Sequence, residues 1–483
     1  MHLLSLLAGT LSLASLGFTS HAPLGSSPHL DLARRTSPSS HLQPRATKCP
    51  AITSKGPLMA AYVPAWTSGA VEAVDWSQLD VAFWVCALTT EGGIGLAPGT
   101  TAASMKSFSA AAVAAGKIPM LTIGGWSGSV FFSDLVSTSK KRAAFANTIK
   151  TWMRVYGFKG VDLDWEFIGR QGAGNNIVSP SDSANYLTFL AKLRSTLGTD
   201  LYISAAVPAA GITGPSGTIL SDVSKFAAHF DWIQLMTYDY YGAWSSTTGA
   251  NSPLYTCDAG SDSIDATVKR WVAAGFPACQ IVLGVPSYSQ RWKTAKTYLT
   301  TTRYNGASTT AFQALAAAGQ PDNLGWSTKE LVSQKLLSKD LKTGASGYTR
   351  YFDECTQTPF LFNPAGNRKL FVTYEDDQSW AAKGAYAKAK GLAGVAVYES
   401  TGALDPMWSA LPTSLGHASS GKGRTRVKRA MTFGNGSTER EEDGAGEGTD
   451  EEERSDGARF EEEEEGRAGS LVTNAGTSQT MLE

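Results

Sequence analysis

Asp162, Asp164 and Glu166 stand two residues apart in the run Gly160-Val161-Asp162-Leu163-Asp164-Trp165-Glu166. A period of two is that of a β-strand, so the three carboxyls share one face while Val161, Leu163 and Trp165 share the other. Asp and Glu are poor strand formers, and like charges on one face repel. A solvated edge strand would account for the acids, but not for their apolar partners or the glycine ahead of them. Three carboxyls this close cannot all ionise freely, so at least one is expected to keep its proton near neutral pH. A protonated carboxylic acid beside an ionised one is what glycosidic-bond cleavage requires.

Such a strand needs neighbours to position it. Apolar, β-branched runs recur at Leu58–Val63, Leu79–Val85, Ile118–Ile123, Gly160–Trp165, Leu201–Val207, Trp232–Tyr238, Ile281–Pro286 and Gly394–Tyr398. Ala-rich helical stretches follow several of them, at Thr101–Ala115, Lys140–Tyr156 and Ser183–Leu197. Strand and helix in alternation imply a parallel sheet, and eight repeats imply an α/β fold of the closed (β/α)8 TIM-barrel kind. A doubly wound open sheet would usually bring a Gly-rich phosphate loop, and none appears. About a hundred residues separate Pro286 from Gly394, where one helix would suffice. Residues 292–376 therefore read as a small inserted α+β subdomain between the seventh strand and its helix. An insertion there sits on the C-terminal face and walls a cleft.

The 483 residues hold 42 Lys and Arg against 43 Asp and Glu, but the near balance hides a split. Fifteen acids crowd between Glu439 and Glu465, and the chain before Lys422 carries a mild, dispersed excess of six positive charges. That excess does not argue for nucleic acid. Residues 1–22 read as a secretory signal peptide without a basic start, too short and too rich in Ser and Gly for a membrane span. Residues 23–48 read as a linker or pro-segment containing the dibasic pair Arg34-Arg35. The working domain is expected at 49–415, followed by a low-complexity acidic tail at 416–483. That tail carries Arg426-Val427-Lys428-Arg429, which resembles a processing signal, and the glycosylation sequon Asn435-Gly436-Ser437. Five cysteines, Cys49, Cys86, Cys257, Cys279 and Cys355, allow two disulfides and one leftover thiol, for which Cys86 in its apolar run is the choice. The six histidines are scattered, and no Cys or His cluster has metal-ligand spacing.

These residues give the chain a resemblance to the chitinases of glycoside hydrolase family 18, most of all to secreted fungal ones. The family's D-x-x-D-x-D-x-E pattern is matched at Asp162, Asp164 and Glu166. Its S-x-G-G appears as Thr122-Ile123-Gly124-Gly125, with Trp126 next. Its M-x-Y-D-x-x-G is met in full at Met236-Thr237-Tyr238-Asp239-Tyr240-Tyr241-Gly242. Leu283-Gly284-Val285-Pro286 resembles the seventh strand and Tyr374-Glu375-Asp376 the end of the insertion, so the likeness runs from about Leu58 to Leu411. It implies hydrolysis of chitin or chito-oligosaccharides by a secreted monomer, with no metal, organic cofactor, nucleic acid or membrane partner. It implies substrate-assisted retention, in which the sugar's own acetamido oxygen forms an oxazolinium ion. Glu166 is then the acid and base, Asp164 the acceptor of the acetamido N–H, Asp162 its proton-sharing neighbour, and Tyr238 the donor to the acetamido carbonyl. Asp239 is expected to be the hydrogen-bonding neighbour of Tyr238, and Met236 to pack beneath the sugar. The alternatives are an endo-β-N-acetylglucosaminidase acting on N-glycan cores, and a chitin-binding lectin on a disabled barrel.

Pyranose faces stack on aromatic rings, so Trp66, Trp84, Trp126, Trp244 and Trp292, all near strand ends, are subsite candidates, and about half of them are expected to serve. Three positions depart from the family pattern. Lys159 replaces the first acid of the signature and, by strand parity, points away from Glu166. Thr122 replaces Ser and keeps the hydroxyl. Tyr398 stands where the family usually carries the Trp that floors the catalytic subsite.

Overall fold

The structure is a computed structural model. It describes residues 56–417 apart from 259, 295–296, 305–306, 311–324 and 366–369. The segments read as signal peptide, linker and processed acidic tail, with Cys49, Arg34-Arg35, Arg426-Val427-Lys428-Arg429 and Asn435, lie outside the described residues.

Eight parallel strands close a barrel: β1 (Leu58–Pro64), β2 (Val81–Thr90), β3 (Ile118–Gly124), β4 (Gly160–Asp164), β5 (Tyr202–Pro208), β6 (Trp232–Met236), β7 (Ile281–Pro286) and β8 (Gly394–Tyr398). Each pairs with its sequence neighbour, and β1 pairs with both β2 and β8, so no edge is left. The barrel expected from the strand–helix alternation is thus the observed fold. Helices Ala102–Ala114, Ser139–Tyr156, Asp182–Leu197, Ile264–Ala273, Asp377–Ala389 and Asp405–Leu415 flank it. Their ends follow local chemistry. Thr138 caps Ser139–Tyr156 by accepting from the Lys141 N–H, and Gly157 stops it in a left-handed conformation. No helix among the described residues is long and apolar enough to cross a membrane.

Strand parity divides the core in two. Odd-numbered Val161 and Leu163 join Leu121, Ile123, Phe145 and Phe189 in the layer between barrel and helices. Tyr62, Phe83, Met120 and Trp232 fill the barrel interior, the side onto which Asp162 turns. Lys159, ahead of β4, is exposed at the opposite end from Glu166.

The insertion follows β7. Its sheet runs in the order Thr349–Asp353, Thr358–Asn363, Leu370–Thr373 and Gln290–Lys293, all antiparallel. Trp292, Phe360, Phe362 and Phe371 make its own small core, with Tyr241 of the barrel packed against it. A disulfide from Cys257 to Cys355 ties it to the segment after β6. Cys279 is disulfide-bonded too, and Cys86 is free.

Candidate active site

Asp162 lies in mid-barrel with no exposed surface. Its Oδ1 accepts from Ser204 Oγ of β5 at 2.8 Å and Gln234 Nε2 of β6 at 2.9 Å. Its Oδ2 accepts from Thr122 Oγ1 of β3 at 3.1 Å and from the Tyr62 hydroxyl of β1 at 3.2 Å. Four donors favour the ionised form, but full desolvation wins and raises the carboxyl to about 6. The hydroxyl that Thr122 keeps in place of Ser is therefore in use.

One pleat further, Asp164 closes β4. Its Oδ1 is buried without a hydrogen-bond partner in the protein. Burial, and then the charges of Glu166 and Asp162, hold its carboxyl well above the usual range. The backbone around it allows no slack. Gly125 donates its N–H to Asp164 O at 2.8 Å, and a Cβ on Gly124, at φ 111°, would come within 2.1 Å of that oxygen. Ser129 Oγ lies 2.8 Å from Gly125 O and 2.9 Å from Asp164 O, and accepts the Glu166 N–H at 3.0 Å. Asn176 Nδ2 holds the Glu166 carbonyl at 2.6 Å.

Glu166 thus leaves the strand end in a fixed direction, half-buried at the barrel mouth. Burial first and the Asp239 charge second raise its carboxyl to about 7, against the opposing guanidinium of Arg170. Arg170 is itself laid over the Phe167 ring at 3.8 Å.

Beyond β6, the Tyr238 ring stacks on Tyr398 at 5.8 Å and meets Tyr288 edge-on at 6.0 Å. Asp239 has a left-handed backbone, φ 58°, with its N–H on Asn251 Oδ1 at 2.9 Å. Its carboxylate accepts from Gln290 Nε2 at 2.8 Å and from the Tyr288 hydroxyl, not from Tyr238 as expected. Its partners come instead from the start of the insertion. Asp239 is open to water but ringed by protein, and that partial desolvation raises its carboxyl.

Tyr398 ends β8 half-buried, 5.6 Å from the Tyr62 ring. Met236 is half-buried at the end of β6. The tryptophans divide by tertiary position. Trp66 is 52% exposed and Trp244, lying across Gly242, is 59% exposed. Trp126 is half-buried, edge-on to Phe167 at 6.2 Å. Trp84 and Trp292 are corrections to the candidate set. Trp84 is sealed against Phe108 in the helix-side layer, and Trp292 gives its Nε1–H to Gly242 O inside the insertion's core. Neither reaches a cleft.

Tyr62, Ser129, Arg170, Asn176, Ser204, Gln234, Tyr288 and Gln290 went unread in the sequence. Gln234 did carry a signal, being a lone amide in Trp232-Ile233-Gln234-Leu235-Met236 on a strand otherwise apolar. A buried amide demands partners, and Asp162 and Tyr62 are those partners.

The glycosyl hydrolases family 18 model matches residues 58–402. A chitinase-like effector of Moniliophthora roreri is 33% identical over 369 residues, covering 71% of this chain and 88% of the relative. Chitinase A1 of Niallia circulans is 32% identical over 299 residues, 59% of this chain and 40% of that protein. The crystal structure of a Rhizomucor miehei chitinase superposes with a TM-score of 0.65 at 26% identity, over 74% of this chain and all of that one. The match takes in all eight barrel strands and the acid-bearing β4 at its centre, so the chain belongs to glycosyl hydrolase family 18.

Proposed function

We propose that the chain is a secreted, endo-acting chitinase that cleaves β-1,4 bonds between N-acetylglucosamine units by substrate-assisted retention, working as a monomer. The observation that carries this is the column Asp162–Asp164–Glu166, whose members are held in distinct electrostatic surroundings. Asp162 is ringed by donors and takes negative charge most readily. Asp164 has a buried oxygen that lacks a donor, which an acetamido N–H supplies. Glu166 at about 7 is protonated at mildly acid pH, as a general acid must be.

In the reaction, Glu166 gives its proton to the glycosidic oxygen as that bond breaks. The acetamido carbonyl oxygen attacks the anomeric carbon from the other face and closes an oxazolinium ring. Asp164 holds the acetamido nitrogen and balances its positive charge, and Asp162 takes up the proton that Asp164 must shed. The Tyr238 hydroxyl, which bonds no other described residue, donates to the acetamido oxygen and keeps it in line. Glu166 then removes a proton from water, which opens the ring with overall retention. Trp66 after β1 and Trp244 after β6 lie three strands apart around the rim, which suits a chain of sugars crossing the mouth.

The test is Glu166→Gln. It keeps shape but cannot pass a proton, so turnover of a chitin oligomer should fall by at least about 10²–10⁴-fold while calorimetric binding persists. Undiminished turnover would sink the mechanism. Parallel digestion of a free N-glycan separates a chitinase from an endo-β-N-acetylglucosaminidase, and a parent chain that binds chitin but never cleaves it is a lectin.

A further inference from the structure

Tyr238 and Asp239 stand beyond the end of β6, which stops at Met236, so the strand ladder does not hold them. Two neighbouring residues further along grip the backbone on either side of Tyr238. Ser252 Oγ donates to Thr237 O at 2.6 Å. Asn251 Oδ1 accepts the Asp239 N–H at 2.9 Å, and Asn251 O accepts the Tyr240 N–H at 3.2 Å. The other end of the same amide, Nδ2, donates to Tyr288 O at 3.2 Å, and the Asn251 N–H goes to Thr373 Oγ1 of the insertion at 3.2 Å. Asn251 and Ser252 have no exposed surface. Asp239 needs such a hold, because φ 58° is a left-handed conformation that a residue with a Cβ keeps when its surroundings impose it. An amide suits the place: it gives an acceptor to one backbone and a donor to another, where Asp lacks the donor and Ser the reach.

We infer that Asn251 is a positioning residue for the reaction: its one amide fixes Asp239 in its left-handed turn against the Tyr288 backbone, and so aims the Asp239 carboxylate at Glu166 and the Tyr238 ring at the sugar. This rests on the chitinase reading above. Asp239 faces Glu166, Tyr238 and Tyr288. Glu166 faces Asp164, Arg170, Cys86, Tyr238 and Tyr398 besides. Burial keeps the thiol and the three phenols protonated, so near neutral pH the groups that can charge beside Glu166 are Asp164, Asp239 and Arg170. Of these three, Asp239 is the one that Asn251 hydrogen-bonds.

Asn251→Ser in the full chain tests this, with steady-state kinetics and pH–rate profiles on chitotetraose. The hydroxyl is too short to span both backbones. Turnover should fall about 10–10²-fold with KM little changed, as expected when reacting groups are misplaced but the sugar still binds. The alkaline limb of kcat/KM should move to lower pH, because the Asp239 charge is no longer aimed at Glu166. With Asp239→Asn already present, the same substitution should move the limb no further. A parent-like kcat and limb, a change in KM alone, or an equal shift of the limb with and without the Asp239 carboxylate would each overturn the assignment. If circular dichroism shows Asn251→Ser unfolded, Thr373→Val takes its place, since it strips only the acceptor of the Asn251 N–H. The limb should then move in the same direction, and a parent-like limb would overturn the assignment. A parent chain that hydrolyses no chito-oligomer sinks the chitinase reading and this assignment with it, whereas an active parent with unaltered variants removes only the role given to Asn251.

Discussion

The ionisation of Glu166 is set by two neighbours of opposite sign, and each can be removed singly. Asp239 raises its carboxyl and Arg170 lowers it. An acid with a raised pKa donates below that value, so the alkaline limb of kcat/KM is expected near pH 7. Asp239→Asn should move that limb to lower pH and Arg170→Gln to higher pH, as pH–rate profiles on a soluble oligomer would show. Movement of both limbs in one direction would contradict the electrostatic assignment. The same residue gives a stability prediction. Glu166 binds its proton more tightly folded than unfolded, so its contribution is favourable below the unfolded value of 4.5, fades as pH rises, and is gone above about 7. Glu166→Gln should therefore raise Tm at pH 8 more than at pH 4, read by differential scanning calorimetry. An equal shift at both pH values would mean that burial does not tax the charge.

At the level of elements, the site is made where strand ends meet loops. β4 delivers the acids, but the glycine turn after β3 and Ser129 beyond it hold them. β8 delivers Tyr398, which touches the rings of Tyr62, Tyr238 and Tyr288 at once. If Tyr398 floors the sugar, Tyr398→Ala should raise KM at least about tenfold by losing a stacking contact, while Tyr398→Trp should be tolerated or bind oligomers more tightly. Steady-state kinetics with calorimetry on both variants decides it, and parent-like behaviour of both would reduce Tyr398 to packing. The insertion also takes part, since Gln290 and Tyr288 at its start supply the partners of Asp239.

Over the whole molecule, barrel and insertion act as one unit because they are tied at several levels. The Cys257–Cys355 bridge closes a span of 98 residues. The fully buried Lys383–Glu375 pair sits where the insertion returns to the barrel. A covalent loop of that length restricts the unfolded chain by about 4.7 kcal/mol in the chain-entropy account. Replacing both cysteines with Ala should cost stability of that order in urea unfolding, with the insertion loosening before the barrel by hydrogen exchange. A loss below about 1 kcal/mol would show that packing of the insertion suffices.

The sequence by itself determined the eight strands, most of their ends and the face that carries the acids. Alternation is a local property, and Asp162 and Asp164 turn inward because Val161 and Leu163 must turn out, whatever surrounds them. Lys159 could be placed by the same parity. What stands across the barrel from each carboxyl could not be read this way. The donors to Asp162 come from positions 62, 122, 204 and 234, which only closure of the sheet brings within hydrogen-bonding distance. The same limit misassigned the partner of Asp239, whose carboxylate is met by an insertion arriving fifty residues later. It also left five tryptophans alike, although Trp66 and Trp244 stand in solvent and Trp84 and Trp292 are sealed. Periodicity fixes which way a side chain points, whereas burial, pKa and partners depend on what the rest of the chain packs against it.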